Sequence, residues 1–177
     1  VTIRVSHSSV NYKDALALTG KAPILRRYPI VPGIDLAGEV IEDRSGTFHP
    51  GQKVLAIGHG MGEDLYGGYS EVARISPEGV LPMPDDLTCK TSMQLGTAGL
   101  TAAPCVQPIF RAATPGSTVL VTGPTGGVGS VAILLLSSLG FRVIACTGRM
   151  EHEGYLRGLG ATQIIHRSEL EAEGKPM

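Results

Sequence analysis

Thr118-Val119-Leu120-Val121-Thr122-Gly123-Pro124-Thr125-Gly126-Gly127-Val128-Gly129-Ser130-Val131-Ala132 is the stretch that decides the fold. Its first five residues are apolar or β-branched throughout, which predicts a fully buried strand over Thr118–Thr122. The apolar run after the glycines predicts a helix over Gly127–Leu139, closed by Gly140. Between the two, Gly127-Val128-Gly129-Ser130-Val131-Ala132 fits G-x-G-x-x-A in the strand–turn–helix setting the pattern requires. Without that setting the glycines would mark only a tight turn. Within it they let the backbone approach a pyrophosphate, whose charge the N–H groups and positive end of the helix stabilise. Gly126 and Gly127 are the expected closest contacts.

Working outward toward the C-terminus, Arg142–Cys146 reads as a second strand, Glu151–Leu159 as a shorter helix and Thr162–Ile165 as a third strand. Alternation of this kind describes the first half of a doubly wound parallel sheet. The choice between the two nicotinamide dinucleotides is made about 20 residues past the glycine turn, at the end of the second strand. Here that position reads Thr147-Gly148-Arg149, with no carboxylate to accept a ribose hydroxyl. A hydroxyl and a guanidinium suit a phosphate, because Arg offers planar, charge-assisted, bidentate donors. NADPH is the expected cofactor. Arg167, just past the third strand, is placed to approach the same phosphate or to remain a solvated surface residue.

Toward the N-terminus the pattern changes. Up to about Pro84 the chain is punctuated by Gly and Pro, with short β-type runs at Gly38–Glu42, Lys53–Ile57 and Tyr69–Ile75, the pattern of an irregular β domain. Asp85-Asp86 before Leu87 predicts the start of a helix running to about Phe110, interrupted by Gly96 and Gly99.

The 177 residues are 42% hydrophobic and 18% charged, with a formal net charge of -1, enough to build a sizeable core. With no run of five like charges, nucleic acid and membrane surfaces are not the expected partners, and small molecules are. Cys89, Cys105 and Cys146 form neither a disulfide framework nor a zinc ribbon, which fits a reducing, cytoplasmic setting. No apolar run approaches the roughly 20 residues of a membrane span. Val1–Val5 alternates like a strand without a preceding Met, so the numbering is expected to begin inside a longer chain.

Asn11-Tyr12-Lys13-Asp14-Ala15-Leu16, Pro32-Gly33-Ile34-Asp35-Leu36-Ala37-Gly38, Gly96-Thr97-Ala98-Gly99-Leu100-Thr101-Ala102 and the Gly123–Ser130 loop together resemble the zinc-independent, quinone-oxidoreductase-like branch of the medium-chain dehydrogenases/reductases. Within it, Asn-Tyr-Lys-Asp and Thr147-Gly148-Arg149 resemble the acrylyl-CoA reductase subfamily. The resemblance spans essentially the whole chain. It implies a GroES-like catalytic domain at residues 1–84 lacking its first strand, then at 85–177 the first half of an NADP-binding Rossmann domain. It also implies a parent chain of well over 300 residues, with a homodimer as a possible full-length state.

The chemistry the resemblance implies is NADPH-dependent reduction of an activated C=C bond in an α,β-unsaturated acyl-CoA such as acryloyl-CoA, with a quinone or enone as the alternative substrate. A truncated, non-catalytic dinucleotide-binding protein is the second alternative. The implied cofactor contacts are Tyr12, Thr125, Gly126, Gly127, Val128, Thr147, Gly148, Arg149 and Arg167. Two departures stand out: Thr125 and Thr147 replace the usual Ser, and Pro124 replaces the usual Ala, losing an N–H. Hydride addition at the β-carbon leaves an enolate to be stabilised and protonated, for which Tyr12, Asn11 and Asp14 are the catalytic candidates. Tyr12 is read as an acid or as packing against the nicotinamide; Asn11 and Asp14 also suit a helix cap.

Arg26 and Arg27 read as an anchor for coenzyme A phosphates or as a solvated pair. Thr97 and Thr101 read as facing the nicotinamide or as bonding carbonyls one turn back. Zinc-dependent cousins carry Gly-His-Glu where this chain has Gly33-Ile34-Asp35, and they have a four-cysteine lobe that is absent here. No metal is therefore expected, and His59 reads as a loop histidine.

Overall fold

A computed structural model describes residues 1–170; residues 171–177 of the expected second domain lie outside the described residues. The chain divides into two compact units, Val1–Thr97 and Ala98–Met177.

The first unit is built on a five-stranded antiparallel sheet in the order β4-β1-β2-β3-β5. Its strands are β1 (Thr2–His7), β2 (Asp35–Glu42), β3 (Lys53–Ile57), β4 (Val72–Arg74) and β5 (Val80–Pro82). Ile3, Leu36, Val40, Val54, Ala56, Met61 and Val80 pack into one buried cluster on it. The strand expected over Tyr69–Ile75 shrinks to Val72–Arg74, because the N–H groups of Gly67, Gly68 and Tyr69 bond the carbonyls of Val31, Gly33 and Pro32 instead. Helix α1 (Tyr12–Thr19) lies between β1 and β2 in sequence.

Helix α2 spans Cys89–Ala112 and is broken at Gly96 (φ 46°, ψ -149°). It begins later than Asp85-Asp86 suggests. Leu87 N–H closes a turn on the Pro84 carbonyl, and Thr88 and Thr91 then cap the helix reciprocally, each hydroxyl taking the other's backbone N–H at 2.9–3.1 Å. The division between the two compact units falls inside α2, after Thr97. Met93, on the N-terminal segment of α2, is buried with Ala37 and Leu55 of the first sheet.

The second unit holds a parallel sheet in the order β6-β7-β8, formed by β6 (Thr118–Thr122), β7 (Arg142–Thr147) and β8 (Ala161–His166). Helices α3 (Gly127–Ser138) and α4 (Glu153–Gly158) follow β6 and β7 in the chain. Ile133 and Leu136 of α3 and Leu156 of α4 are buried with Val121, Val143 and Ala145, each large side chain contributing about 1.5–3 kcal/mol by burial. One expectation fails here. β6 is not fully buried: among the described residues it pairs only with β7, and Leu120 is 46% exposed. Its two apolar faces fit a central strand, with β7 its one strand neighbour among the described residues.

Candidate cofactor site

The glycine loop starts as a turn. Gly126 N–H bonds the Gly123 carbonyl at 3.1 Å, placing Pro124 at the second position, where its fixed φ suits the bend. Pro124 is fully buried, so the N–H that it lacks would not have faced a ligand. Gly123 needs its freedom at φ 59°, and a Cβ on Gly129 would stand 2.3 Å from the Gly123 oxygen and 2.8 Å from Pro124 Cα. The turn can fold onto α3 only because Gly129 has no side chain. Gly126 N–H is used within the turn. The first-turn N–H groups of α3 that sit on exposed residues are those of Gly127 and Val128, which precede any carbonyl of their own helix that could accept them.

Five of the nine sequence-predicted cofactor residues surround a single cleft of about 570 Å³ at the C-terminal ends of the parallel strands: Thr125, Thr147, Gly148, Arg149 and Arg167. Gly126, Gly127 and Val128 line a second hollow of about 490 Å³, along with Cys105, Val106 and Ile109 of α2. Thr122 and Gly123 border both. Tyr12, the ninth, belongs to the first unit.

Among the described residues, no carboxylate lines the first cleft. Thr147 is buried and its Oγ1 accepts the Arg149 N–H at 3.0 Å, which closes the turn after β7 and leaves the hydroxyl proton available. Gly148 leaves room for the neighbouring strand end: a Cβ there would sit 2.9 Å from Arg167 Nε and 3.1 Å from its Cζ. The Arg167 side chain thus lies directly over Gly148, and two guanidinium groups border the same space.

In the first unit, Asn11 caps α1 and Tyr12 is its first residue, 80% exposed. Asp14 is 1% exposed and accepts the N–H groups of Asn11 (2.9 Å) and Ile34 (3.0 Å). Its carboxylate is a cap and a tie to β2, with no surface from which to touch a substrate. The Asn11 amide gives its protons to Ser9 Oγ (2.9 Å) and Asp35 Oδ2 (3.0 Å). The donor role that the sequence allows Asn11 at an enolate is taken up by those bonds.

Asp35 is the hub that sequence reasoning missed. Fully buried, it also accepts from Ser9 Oγ and from Thr97 N–H and hydroxyl at 2.9 and 2.6 Å. Thr97 therefore faces a carboxylate. Tyr69 OH donates to the Ser9 carbonyl at 3.1 Å, and burial, with Asp14 and Asp35 nearby, pushes its phenol up to about 12. The signal was present in Ile34-Asp35-Leu36-Ala37, an acid set directly among apolar residues at the start of β2.

Arg27 lies over the Tyr66 ring at 4.8 Å, and both it and Arg26 are exposed. His59 sits at φ 52° in a tight turn. Among the described residues, no three His, Cys, Asp or Glu side chains converge as metal ligands, and no helix is long and apolar enough to cross a membrane.

Residues 1–85 match the alcohol dehydrogenase GroES-like domain. A probable acrylyl-CoA reductase of Escherichia coli strain K12 is 45% identical over 100% of this chain and 55% of its own length. The chain is a quinone-oxidoreductase-like medium-chain dehydrogenase/reductase. An oxidoreductase of Salmonella enterica solved in complex with NADP superposes with a TM-score of 0.93 at 46% identity, over 100% of this chain and 55% of that one. A Bacillus subtilis protein solved with NAD bound gives 0.90 at 40% identity, over 97% and 53%. The chain thus spans about half the length of the relatives it matches. In keeping with the family, its fold is a GroES-like antiparallel sheet followed by the start of a Rossmann-like parallel sheet.

Proposed function

We propose that this family member binds NADPH at the C-terminal ends of β6–β8 and serves an oxidoreductase that reduces an activated C=C bond, with an α,β-unsaturated acyl-CoA such as acryloyl-CoA as substrate. The observation that carries the cofactor assignment is the cleft of Thr147, Gly148, Arg149 and Arg167, cationic and, among the described residues, without a carboxylate. Its guanidinium groups suit a ribose phosphate, and a ribose hydroxyl finds no acidic partner there. The N–H groups of Gly127 and Val128, at the positive end of α3, suit the pyrophosphate. The bound cofactor supplies the hydride.

The substrate assignment rests on the E. coli relative's name and on the Asn11-Tyr12-Lys13-Asp14 motif. Tyr12 presents the exposed hydroxyl, and Asn11 and Asp14 hold the start of α1 that carries it. In this reading Tyr12 donates a proton or packs against the nicotinamide, and Asn11 and Asp14 act by positioning it.

The test has two stages. Dissociation constants for NADPH and NADH, measured on the chain and on Arg149→Ala, should show a preference for NADPH that falls about tenfold or more in the variant. NADH binding as tightly as NADPH, as the NAD-bound B. subtilis relative allows, would remove the phosphate assignment. NADPH oxidation by the purified protein with acryloyl-CoA and with small quinones then separates the substrates. A response to quinone alone favours the quinone-oxidoreductase reading, and binding without turnover of either favours a non-catalytic one.

A further inference from the structure

A loop that binds an anion must hold its carbonyls away from it, because each carbonyl oxygen carries partial negative charge. In this chain that task falls to a residue outside both hollows. Ser130 is 8% exposed, one turn into α3, and its Oγ lies 2.8 Å from the Gly126 carbonyl and 3.1 Å from the Pro124 carbonyl. The first contact is the ordinary bond of a helical Ser to the carbonyl four residues back. The second reaches past the helix start into the turn, so one hydroxyl proton is shared by two loop carbonyls. Tyr155 OH, from α4, donates to the same Oγ at 3.0 Å and so strengthens it as a donor in turn.

Tyr155 is half in solvent, yet Leu156, the next residue of α4, is fully buried in the core beside α3 and β7, which fixes where the phenol stands. From that core the order is Leu156, Tyr155, Ser130, then the carbonyls of Pro124 and Gly126.

We propose that Ser130 and Tyr155 are positioning residues for the dinucleotide's pyrophosphate: they turn the loop carbonyls inward so that the N–H groups of Gly127 and Val128 face the anion. This rests on the dinucleotide-binding reading above. It concerns the part of the ligand that NADPH and NADH share, and so it differs from the role of Arg149, which concerns the part they do not.

The experiment measures dissociation constants for NADPH and for NADH, by the fluorescence of the reduced nicotinamide, on the chain, Ser130→Ala and Tyr155→Phe, together with each protein's melting temperature without cofactor. Ser130→Ala should weaken both cofactors by the same factor, about three- to tenfold, and Tyr155→Phe should weaken both by about two- to threefold with an unchanged melting temperature. Tyr155 is exposed enough that its variant keeps the fold, so it carries the test if Ser130→Ala does not fold. Unchanged affinities alongside a lowered melting temperature would show a purely structural role and overturn the proposal. Weakening of NADPH but not NADH would move the effect to the ribose phosphate and also overturn it. Absence of binding by the unaltered chain would remove the dinucleotide reading itself, an outcome visible before any variant is compared.

Discussion

Replacing Gly148 with Ala adds one methyl group at the place where two strand ends share a cationic cleft. The backbone there is not left-handed, so the substitution carries no conformational penalty, and its effect is steric. The new Cβ would stand 2.9 Å from Arg167 Nε, 3.1 Å from Cζ and 3.2 Å from Cδ. Carbon at van der Waals contact needs about 3.5–4.0 Å, so the guanidinium must retreat by roughly 0.5–1 Å. Arg167 is an exposed, flexible side chain and can do so with little effect on stability. A shift of that size still breaks a bidentate geometry. Charge-assisted hydrogen bonds contribute about 1.5–3 kcal/mol, and losing about half of that from one partner is roughly a four- to tenfold weakening of NADPH. NADH has no phosphate at that position and should be unaffected. Titration calorimetry of Gly148→Ala with both cofactors checks this. Equal weakening of NADPH and NADH, or no weakening of NADPH, would refute the placement of Arg167 against the phosphate.

Three further outcomes follow from the packing and the hydrogen bonds. Gly129→Ala should lower the melting temperature and abolish dinucleotide binding, since its Cβ would collide with backbone atoms of Gly123 and Pro124 that cannot move independently of the turn; a fully folded, binding-competent variant would contradict the close approach. Asp35→Ala removes the acceptor for Ser9, Asn11 and Thr97 together, and orphaning those donors should lower stability by about 2–4 kcal/mol in urea unfolding. Tyr69 gives a pH dependence. Its folded phenol ionises near 12 against about 10 when unfolded, so its contribution is complete below pH 10 and is lost as pH rises from 10 to 12. Tyr69→Phe should flatten stability across that window, and an unchanged alkaline slope would place the titration elsewhere.

The second half of the chain was largely legible from its sequence. The strand at Thr118–Thr122 and the helix starting at Gly127 stand where hydrophobic period and turn chemistry place them, because both signals are local. Helix α2 was less so: two Asp residues mimic a start signal, whereas the operating cap is the Thr88–Thr91 pair, and only the folded chain shows which competing polar side chains bond the backbone. The candidate cofactor residues were legible as one set. Its division was not, because Thr147, Gly148, Arg149 and Arg167 meet across parallel strands while Gly126, Gly127 and Val128 open on the α2 side of β6.

What the sequence determined by itself is therefore whatever depends on neighbours along the chain: the strand–turn–helix of the glycine loop, the basic character of the β7 end, and the Asn11–Asp14 cap. What only the tertiary structure decided depends on residues far apart in sequence. Asp35 became a hub because Ser9, Asn11 and Thr97 converge on a carboxylate shut off from water, where each donor is needed to offset the burial of charge. Ser130 became a clamp because α4 brings Tyr155 to it. The burial of β6 follows the same spatial logic, since a strand's apolar faces record what it suits, while burial depends on which strands and helices lie beside it.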